Sequence, residues 1–190
     1  MKAEPSYVPG MTTSALLTAE ELLNLSIPNK HVELVRGVLV VREPPGGRHG
    51  RIAANVAFEL LKHVRANSLG GVYAAETGFT LSRHPDTVRA PDVAFIRRER
   101  LPSPEPTGYP ELGPDLVVEV LSPGDRPGEV HAKIADWLSA GTRLVWIIDP
   151  ERRIARVYRA DGSEAIVTAD QALDGEDVVP GFACRLDTTL

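Results

Sequence analysis

Two strongly apolar segments on either side of a short amphipathic stretch constrain the fold of this chain more than any other feature. The segments are DLVVEVL, from Asp115 to Leu121, and RLVWIID, from Arg143 to Asp149. Between them, residues 129–140 have apolar positions at helical spacing, and Gly141 is a typical helix stop. Apolar strands that flank a helix are typical of a parallel βαβ unit, so we predict an α/β fold around a mixed central sheet.

The rest of the chain adds helices and strands to this unit. TAEELLNL begins at Thr18 with a capping-box pattern, which predicts a short helix. HVELVRG and VLVVREP meet at Arg36-Gly37 and predict an N-terminal hairpin. The run from Arg51 to Asn67 predicts a long amphipathic helix. VYAAETGFTL and VRAPDVAFI predict one strand each, and RIARVYR with EAIVTA predicts a C-terminal β meander.

Length and composition indicate the class of protein. We predict a flexible tail over residues 1–17 and a single domain over residues 18–190, since 190 residues are enough for one domain with its own core. No apolar run reaches the roughly 18 residues of a membrane span. Cys184 is the single cysteine and excludes an internal disulfide, so we predict a cytoplasmic protein. The net charge of −5 argues against general nucleic-acid coating, but not against a local basic groove.

A carboxylate inside an apolar strand is the first sign of a functional site. Glu119 stands among valines and leucines, where an unpaired charge is costly. Asp92, in RAPDVAF, is predicted at the start or edge of the neighbouring strand, because Pro91 cannot donate to a ladder. Acids on adjacent strands approach to about 5 Å and repel unless a hard cation such as Mg²⁺ lies between them. The alternatives are that Asp92 forms a turn and that Glu119 pairs with an arginine inside the sheet.

Lys133 borders the apolar stripe of the predicted helix over residues 129–140. Because that helix crosses back over the sheet, its inner edge can bring the ammonium to the two acids. There it would orient an attacking water or stabilise charge on a phosphorane. The alternative is an ordinary lysine on the helix surface.

Four segments taken together resemble one protein family: RAPDVAFI, PDLVVEVLSP, HAKIADWLSAGTRLVWIIDP and the closing VPGF. They are similar to the Uma-two family of restriction-endonuclease-like proteins, within the PD-(D/E)XK nuclease superfamily, over about residues 18–182. The resemblance implies an αβββαβ core and assigns the two metal-binding acids to Asp92 and Glu119. The superfamily's lysine normally lies two residues after the second acid, where this chain has Leu121. In Uma-like members a lysine of the following helix, here Lys133, takes that place.

The same resemblance adds further candidates. Glu33, in VELVRG, matches an early acid near the site and is a candidate catalytic residue, although an exposed hairpin glutamate is the alternative. His49 matches a histidine of the same family block, and the alternative is an ordinary residue at a helix N-terminus. His49, Arg51 and Ser122 are the candidate substrate-binding residues.

These residues predict an endonuclease that uses Mg²⁺ or Mn²⁺ to hydrolyse DNA phosphodiester bonds. Cleavage of a duplex needs two active sites or two binding events, so we predict a homodimer. The alternative is a catalytically silent nuclease-fold protein that binds nucleic acid or a protein partner. The acidic net charge and Leu121 favour this alternative, whereas the intact set of Asp92, Glu119 and Lys133 favours the nuclease.

Overall fold

The computed structural model describes residues 16–190. The predicted tail of residues 1–17 lies outside the described residues except for Leu16 and Leu17. The α-helices of the described part are α1 (Ala19–Leu23), α2 (Gly47–Asn67) and α3 (Pro127–Ser139). Its strands are β1 (His31–Val35), β2 (Val38–Arg42), β3 (Gly70–Ala74), β4 (Phe79–Ser82), β5 (Thr87–Arg89), β6 (Val93–Arg97), β7 (Leu116–Val120), β8 (Leu144–Asp149), β9 (Ile154–Arg159), β10 (Glu164–Thr168), β11 (Ala172–Asp174) and β12 (Ala183–Arg185).

A six-stranded mixed sheet forms the centre of the molecule, with strand order β10-β9-β8-β7-β6-β3. β7 and β8 are parallel and are joined through α3, which confirms the predicted βαβ unit. The other neighbours in this sheet are antiparallel, including the β8-β9-β10 meander. In chain order, α2, β3, β6, β7, α3 and β8 give the αβββαβ succession that the resemblance implies.

A second, four-stranded antiparallel sheet with order β2-β1-β5-β4 lies beside the central one. The predicted hairpin forms its outer half, and Arg36 and Gly37 turn the chain with φ of 49° and 76°. The other half of this sheet, β5 and β4, was not predicted, because VYAAETGFTL and VRAPDVAFI were each taken as one strand. Each instead supplies two strands to different sheets. The turn residue Glu76, with φ of 70°, separates β3 from β4, and Pro91 separates β5 from β6 because it has no N–H for a ladder.

The helices begin close to where the sequence patterns place them. Thr18 and Glu21 form the predicted capping box at the start of α1. α2 begins at Gly47, four residues before the predicted start at Arg51, since its first turn carries no apolar stripe to mark it. α3 begins at Pro127, because proline is favoured in a first helical turn.

The two faces of the central sheet have separate cores. Ile52, Val56 and Leu60 of α2 cover one face, where Trp146 of β8 stacks on Phe182 with ring centroids 5.8 Å apart. Ile134 and Trp137 of α3 cover the other face. A short β11-β12 ribbon that the sequence did not predict closes the first core. Within residues 16–190, no helix is long and apolar enough to cross a membrane.

Candidate active site

A cleft of about 930 Å³ opens where the β1–β2 hairpin, the first half of α2 and the start of α3 face one another. Charged side chains from four different elements meet at its floor. Glu33 comes from β1, Asp92 from the residue before β6, Glu119 from β7 and Lys133 from α3. These are the four residues for which the sequence predicts catalytic roles, so the fold brings all of them into one cleft.

Strand register explains why the two acids are neighbours. β6 and β7 are antiparallel with Val93 opposite Val118, so Asp92 lies across from Glu119 at the end of the ladder. Asp92 stands directly before β6, as Pro91 predicts, but β6 is an inner strand between β3 and β7, so the edge position is excluded. Glu119 shares its face with Val117, which packs under α3.

The partner of Glu119 is a lysine. Lys133 Nζ lies 2.9 Å from Glu119 Oε2 and 3.2 Å from Glu33 Oε1, and it donates to the Ala90 carbonyl at 3.3 Å. Trp137, one helical turn after Lys133, donates from Nε1 to Glu119 Oε1 at 3.0 Å. One face of α3 therefore holds both oxygens of the strand carboxylate, and the alternative of an arginine inside the sheet is wrong.

Behind Glu33 lies an ion-pair chain that sequence reasoning missed. Glu33 is 6% exposed, so the alternative of an exposed hairpin glutamate is wrong. Arg89 of β5 donates to Glu33 Oε2 at 2.9 Å and, from Nη2, to Asp136 Oδ2 of α3 at 2.6 Å. The Ala90 N–H donates to the other oxygen of Glu33. Lys133, Asp136 and Trp137 lie at i, i+3 and i+4, and this spacing on a helix could have indicated that they face the same site.

Asp92 is held from two sides. The Val120 N–H donates to Asp92 Oδ2 at 2.7 Å, and His49 Nε2 lies 3.1 Å from the same oxygen. The other ring nitrogen of His49 is buried and has no hydrogen-bond partner among the described residues. His49 lies in the first turn of α2, so that helix brings the imidazole to the carboxylate.

Burial and neighbouring charges shift the pKa values of this cluster in different directions. Burial raises the pKa of Glu119 to about 7, although Lys133 opposes the shift. Burial alone would lower the pKa of Lys133, but the carboxylates of Glu119 and Glu33 outweigh it and raise that pKa. Burial alone would raise the pKa of Glu33, but Lys133 and Arg89 hold that pKa below its usual value. Burial alone would lower the pKa of His49, but the contact with Asp92 outweighs burial and raises that pKa.

The carboxylate oxygens of Asp92 and Glu119 are the donor type that a hard divalent cation takes. With Glu119 ionised, four carboxylates (Glu33, Asp92, Glu119 and Asp136) face three cations, Lys133, Arg89 and the exposed Arg36, so one negative charge is in excess when His49 is neutral and none when it is protonated. Within residues 16–190 no three histidine, cysteine or acidic side chains are grouped to enclose a metal. An ion here would depend on Asp92, Glu119 and water, an arrangement that Mg²⁺ accepts and a closed zinc site does not.

Of the candidate substrate-binding residues, Ser122 lies in the cleft and Arg51 lies outside it. Ser122 lines the cleft just after β7, and its N–H donates to Asp125 Oδ2 at 2.7 Å. Arg51 lies away from the cleft and donates to the carbonyl of Leu190 at 3.1 Å, which ties the C-terminal end to α2. In this arrangement Arg51 stabilises chain packing and does not face the charged floor.

Comparison with known proteins identifies the family and supports the fold. A family model named Uma2, described as "Putative restriction endonuclease", matches residues 19–188. No significant match was found among curated proteins. The crystal structure of "a putative nuclease belonging to DUF820" from Anabaena variabilis ATCC 29413 superposes with a TM-score of 0.79 and 21% sequence identity, covering 91% of this chain and 97% of that chain. At this identity the structural likeness establishes the fold. The family match spans nearly the whole chain, and the chain belongs to the Uma2 family.

Proposed function

We propose that this protein is a metal-dependent endonuclease that hydrolyses DNA phosphodiester bonds at the cleft floor. The observation that carries the proposal is the position of Lys133 Nζ, 2.9 Å from Glu119, in an open cleft that Asp92 also lines. Two acids with a cation next to them form a group that can hold a phosphate and the ion that activates water. Membership of a family described as restriction endonuclease supports the same reaction.

Each residue of the floor has a proposed role. Asp92 and Glu119 would hold Mg²⁺ or Mn²⁺, which when bound supplies an activated water and neutralises charge on the phosphate. Lys133 stabilises the negative charge that builds up as water attacks phosphorus and the P–O ester bond breaks. Trp137 and His49 are positioning residues, since they orient the carboxylates of Glu119 and Asp92.

Glu33 is proposed to position the lysine. It touches Lys133 on one side and Arg89 on the other, and both contacts are buried. A lysine held between two carboxylates keeps its ammonium in one place, which is what charge stabilisation in a transition state requires. Ser122 stays a candidate for substrate contact, because it lines the cleft beside Glu119.

The second candidate function is binding without cleavage. Leu121 occupies the position where the superfamily's lysine normally stands, and the chain carries a net charge of −5. A protein of this kind would hold nucleic acid or a protein partner in the cleft and leave it intact. The two functions differ in whether Mg²⁺ and the two acids are needed for a chemical step.

Nicking of supercoiled plasmid DNA with Mg²⁺, Mn²⁺ or a chelator tests the nuclease. Asp92→Asn and Glu119→Gln should each abolish cutting and lose most of the thermal stabilisation that Mg²⁺ gives the parent. Lys133→Ala should still be stabilised by Mg²⁺ but cut about 10²–10³ times more slowly. Glu59→Gln, on the surface of α2 and outside the cleft, is the matched control. Absence of metal-dependent cutting of any DNA form would leave the binding function.

We also propose a homodimer in a cytoplasmic setting. Closed two-fold dimers are the commonest oligomers, and cutting of both strands requires two sites. The single Cys184 suits a reducing compartment. Light scattering at micromolar concentration should give twice the mass of one chain, and the mass of a single chain would contradict the dimer.

A further inference from the structure

The cleft above the charged floor is large and mostly apolar. Its volume of about 930 Å³ lies near the upper end of the roughly 300–1,000 Å³ found for sites that enclose a drug-sized molecule, so it accepts far more than a phosphate. Tyr109 is the one phenylalanine, tyrosine or tryptophan among its described lining residues, and its ring packs closely over Gly78. Several lining residues are apolar and exposed to solvent, and we call them together the apolar wall: Val41, Pro44, Pro45, Ala54 and Ala75.

The basic side chains of the cleft rim are already paired. Lys30 contacts Glu43, and His31 Nδ1 lies 3.6 Å from Glu76. Arg42 Nη2 lies 3.0 Å from Glu129, and Nη1 lies 3.8 Å from Asp125. Among the described residues the rim therefore has no row of available cations, since each of these basic side chains contacts a carboxylate.

We infer that the cleft takes an unpaired DNA strand, with bases against the apolar wall and one backbone phosphate at the floor, in preference to an intact duplex. This inference rests on the proposed function and names the substrate form of the same site. Bases stack on aromatic and apolar side chains only when they are not enclosed in a duplex, and such stacking contributes about 1–3 kcal/mol per base.

Charge density disfavours the duplex at this rim. A duplex carries one negative charge per about 1.7 Å of its axis, and proteins bind it by neutralising many phosphates with lysine and arginine. Here each rim cation would have to leave a carboxylate before it could contact a phosphate. The floor groups are also deep, since the Lys133 side chain is 21% exposed and that of Glu119 is 12% exposed. A flexible single strand can reach these floor groups, whereas the stacked base pairs of a duplex keep both of its backbones outside the cleft.

Binding and cleavage of four matched DNA forms test the inference. The forms are one labelled oligonucleotide as a single strand, as a duplex, as a duplex with a central unpaired bubble, and as a duplex with a single-stranded overhang. Binding is measured in chelator and cutting in Mg²⁺ or Mn²⁺. The single strand, bubble and overhang should bind at least tenfold more tightly than the duplex, and cuts should fall in the unpaired segments.

The two proposals fail in different ways. Equal binding and cutting of duplex and single strand would overturn the inference and leave the nuclease standing. Preferential binding of unpaired forms without any cutting would support the inference and remove the nuclease. Failure to bind a single strand overturns the inference whatever is cut, including the case in which the cleft instead holds a protein segment.

Salt dependence gives an independent measurement. If one or two phosphates are neutralised, the slope of log affinity against log salt concentration should be about −1, because each phosphate contact of a single strand contributes roughly −0.7. A slope steeper than about −4 would mean a broad phosphate track and would contradict an apolar wall as the main contact.

Two alanines of α2 provide a matched pair of variants. Ala54 is exposed and lines the cleft, whereas Ala66 is exposed on the same helix outside it. Ala54→Glu should weaken single-strand binding about tenfold, because it puts a charge on the wall where bases would stack. Ala66→Glu should leave that affinity within twofold of the parent. Equal affinities for the two variants would mean that bases do not contact this wall.

Discussion

The floor and the rim of the cleft are both built from ion pairs, but the two regions differ in burial and therefore in energy. On the floor, Arg89 and Glu33 have side chains that are 6% and 7% exposed. On the rim, Arg42 and Glu129 are 40% and 46% exposed. Removing one partner of a buried pair strands a charge in a poor solvent, whereas water solvates a stranded surface charge. Similar residue types thus give a buried floor, which we propose as the reaction centre, and a solvated rim.

The largest effect on stability is expected from removing a buried ion pair of the floor. Arg89→Met removes the buried cation between Glu33 and Asp136, which leaves Glu33 with Lys133 alone and Asp136 with the exposed Arg36 alone. We expect a loss of about 3–5 kcal/mol in the free energy of unfolding. Urea denaturation of the parent and the variant measures it. A loss under about 1 kcal/mol would mean that the floor behaves like the rim.

The next effect separates the two regions by reaction rate. Lys133→Met should lower the single-turnover cutting rate about 10²–10³-fold, since it removes the group proposed to stabilise phosphorane charge. Lys30→Met, on the rim, should change the rate by less than about threefold, because Lys30 is engaged with Glu43. Equal losses in the two variants would show that the lysines act only through the overall field of the cleft.

A smaller effect depends on pH. Burial raises the pKa of Glu119 to about 7 in the folded protein, from an ordinary value of 4.5, so between these pH values the folded protein holds a proton that the unfolded chain has lost. Raising the pH through this window therefore destabilises the metal-free parent, while Lys133, Asp92 and Glu33 all face the ionising group. Glu119→Gln lacks this titration. Its unfolding free energy relative to the parent should rise by about 1–3 kcal/mol from pH 4.5 to pH 8.

The pH comparison needs metal-free protein, because a bound cation stabilises the ionised carboxylate. With saturating Mg²⁺ the parent should regain stability at pH 8, whereas Glu119→Gln should gain much less. A difference between parent and variant that does not change with pH would show that Glu119 is already ionised at pH 5 in the folded protein.

The smallest effect is expected on the rim. Arg42→Met removes contacts with Asp125 and Glu129 and should change the free energy of unfolding by less than about 1 kcal/mol. That difference should shrink further between 0.05 and 0.5 M salt, because exposed charges are screened. Thermal unfolding at the two salt concentrations measures both parts. A loss as large as that of Arg89→Met would remove the distinction between the two regions.

The predicted elements that depend on local pattern agree with the structure. The apolar runs around Glu119 and Trp146, the capping box at Thr18 and the hairpin turn at Gly37 all lie where the sequence puts them. The errors fall where one run of sequence serves two sheets. β-rich residues continue from Gly70 to Ser82, and periodicity alone cannot tell that a turn redirects the chain into another layer.

The candidate site shows the same division. The sequence predicts Asp92 and Glu119 as neighbours, because acids on adjacent strands of one sheet can lie opposite each other. It leaves Arg89 unassigned, since nothing local marks an arginine in a three-residue strand as buried. Its partners lie far away in the chain, 56 residues to Glu33 and 47 residues to Asp136.

The sequence by itself determined most of the helices and strands, the parallel unit around α3, the family, and the acids that we propose as cation ligands. These follow from periodicity, turn residues and strand alternation, which act over a few residues. Only the tertiary structure decided which cation faces which acid, how deeply the cluster is buried, and that the rim charges are paired. Burial and pairing arise when distant strands such as β1 and β5 close on α3, and an electrostatic energy exists only once those distances are set.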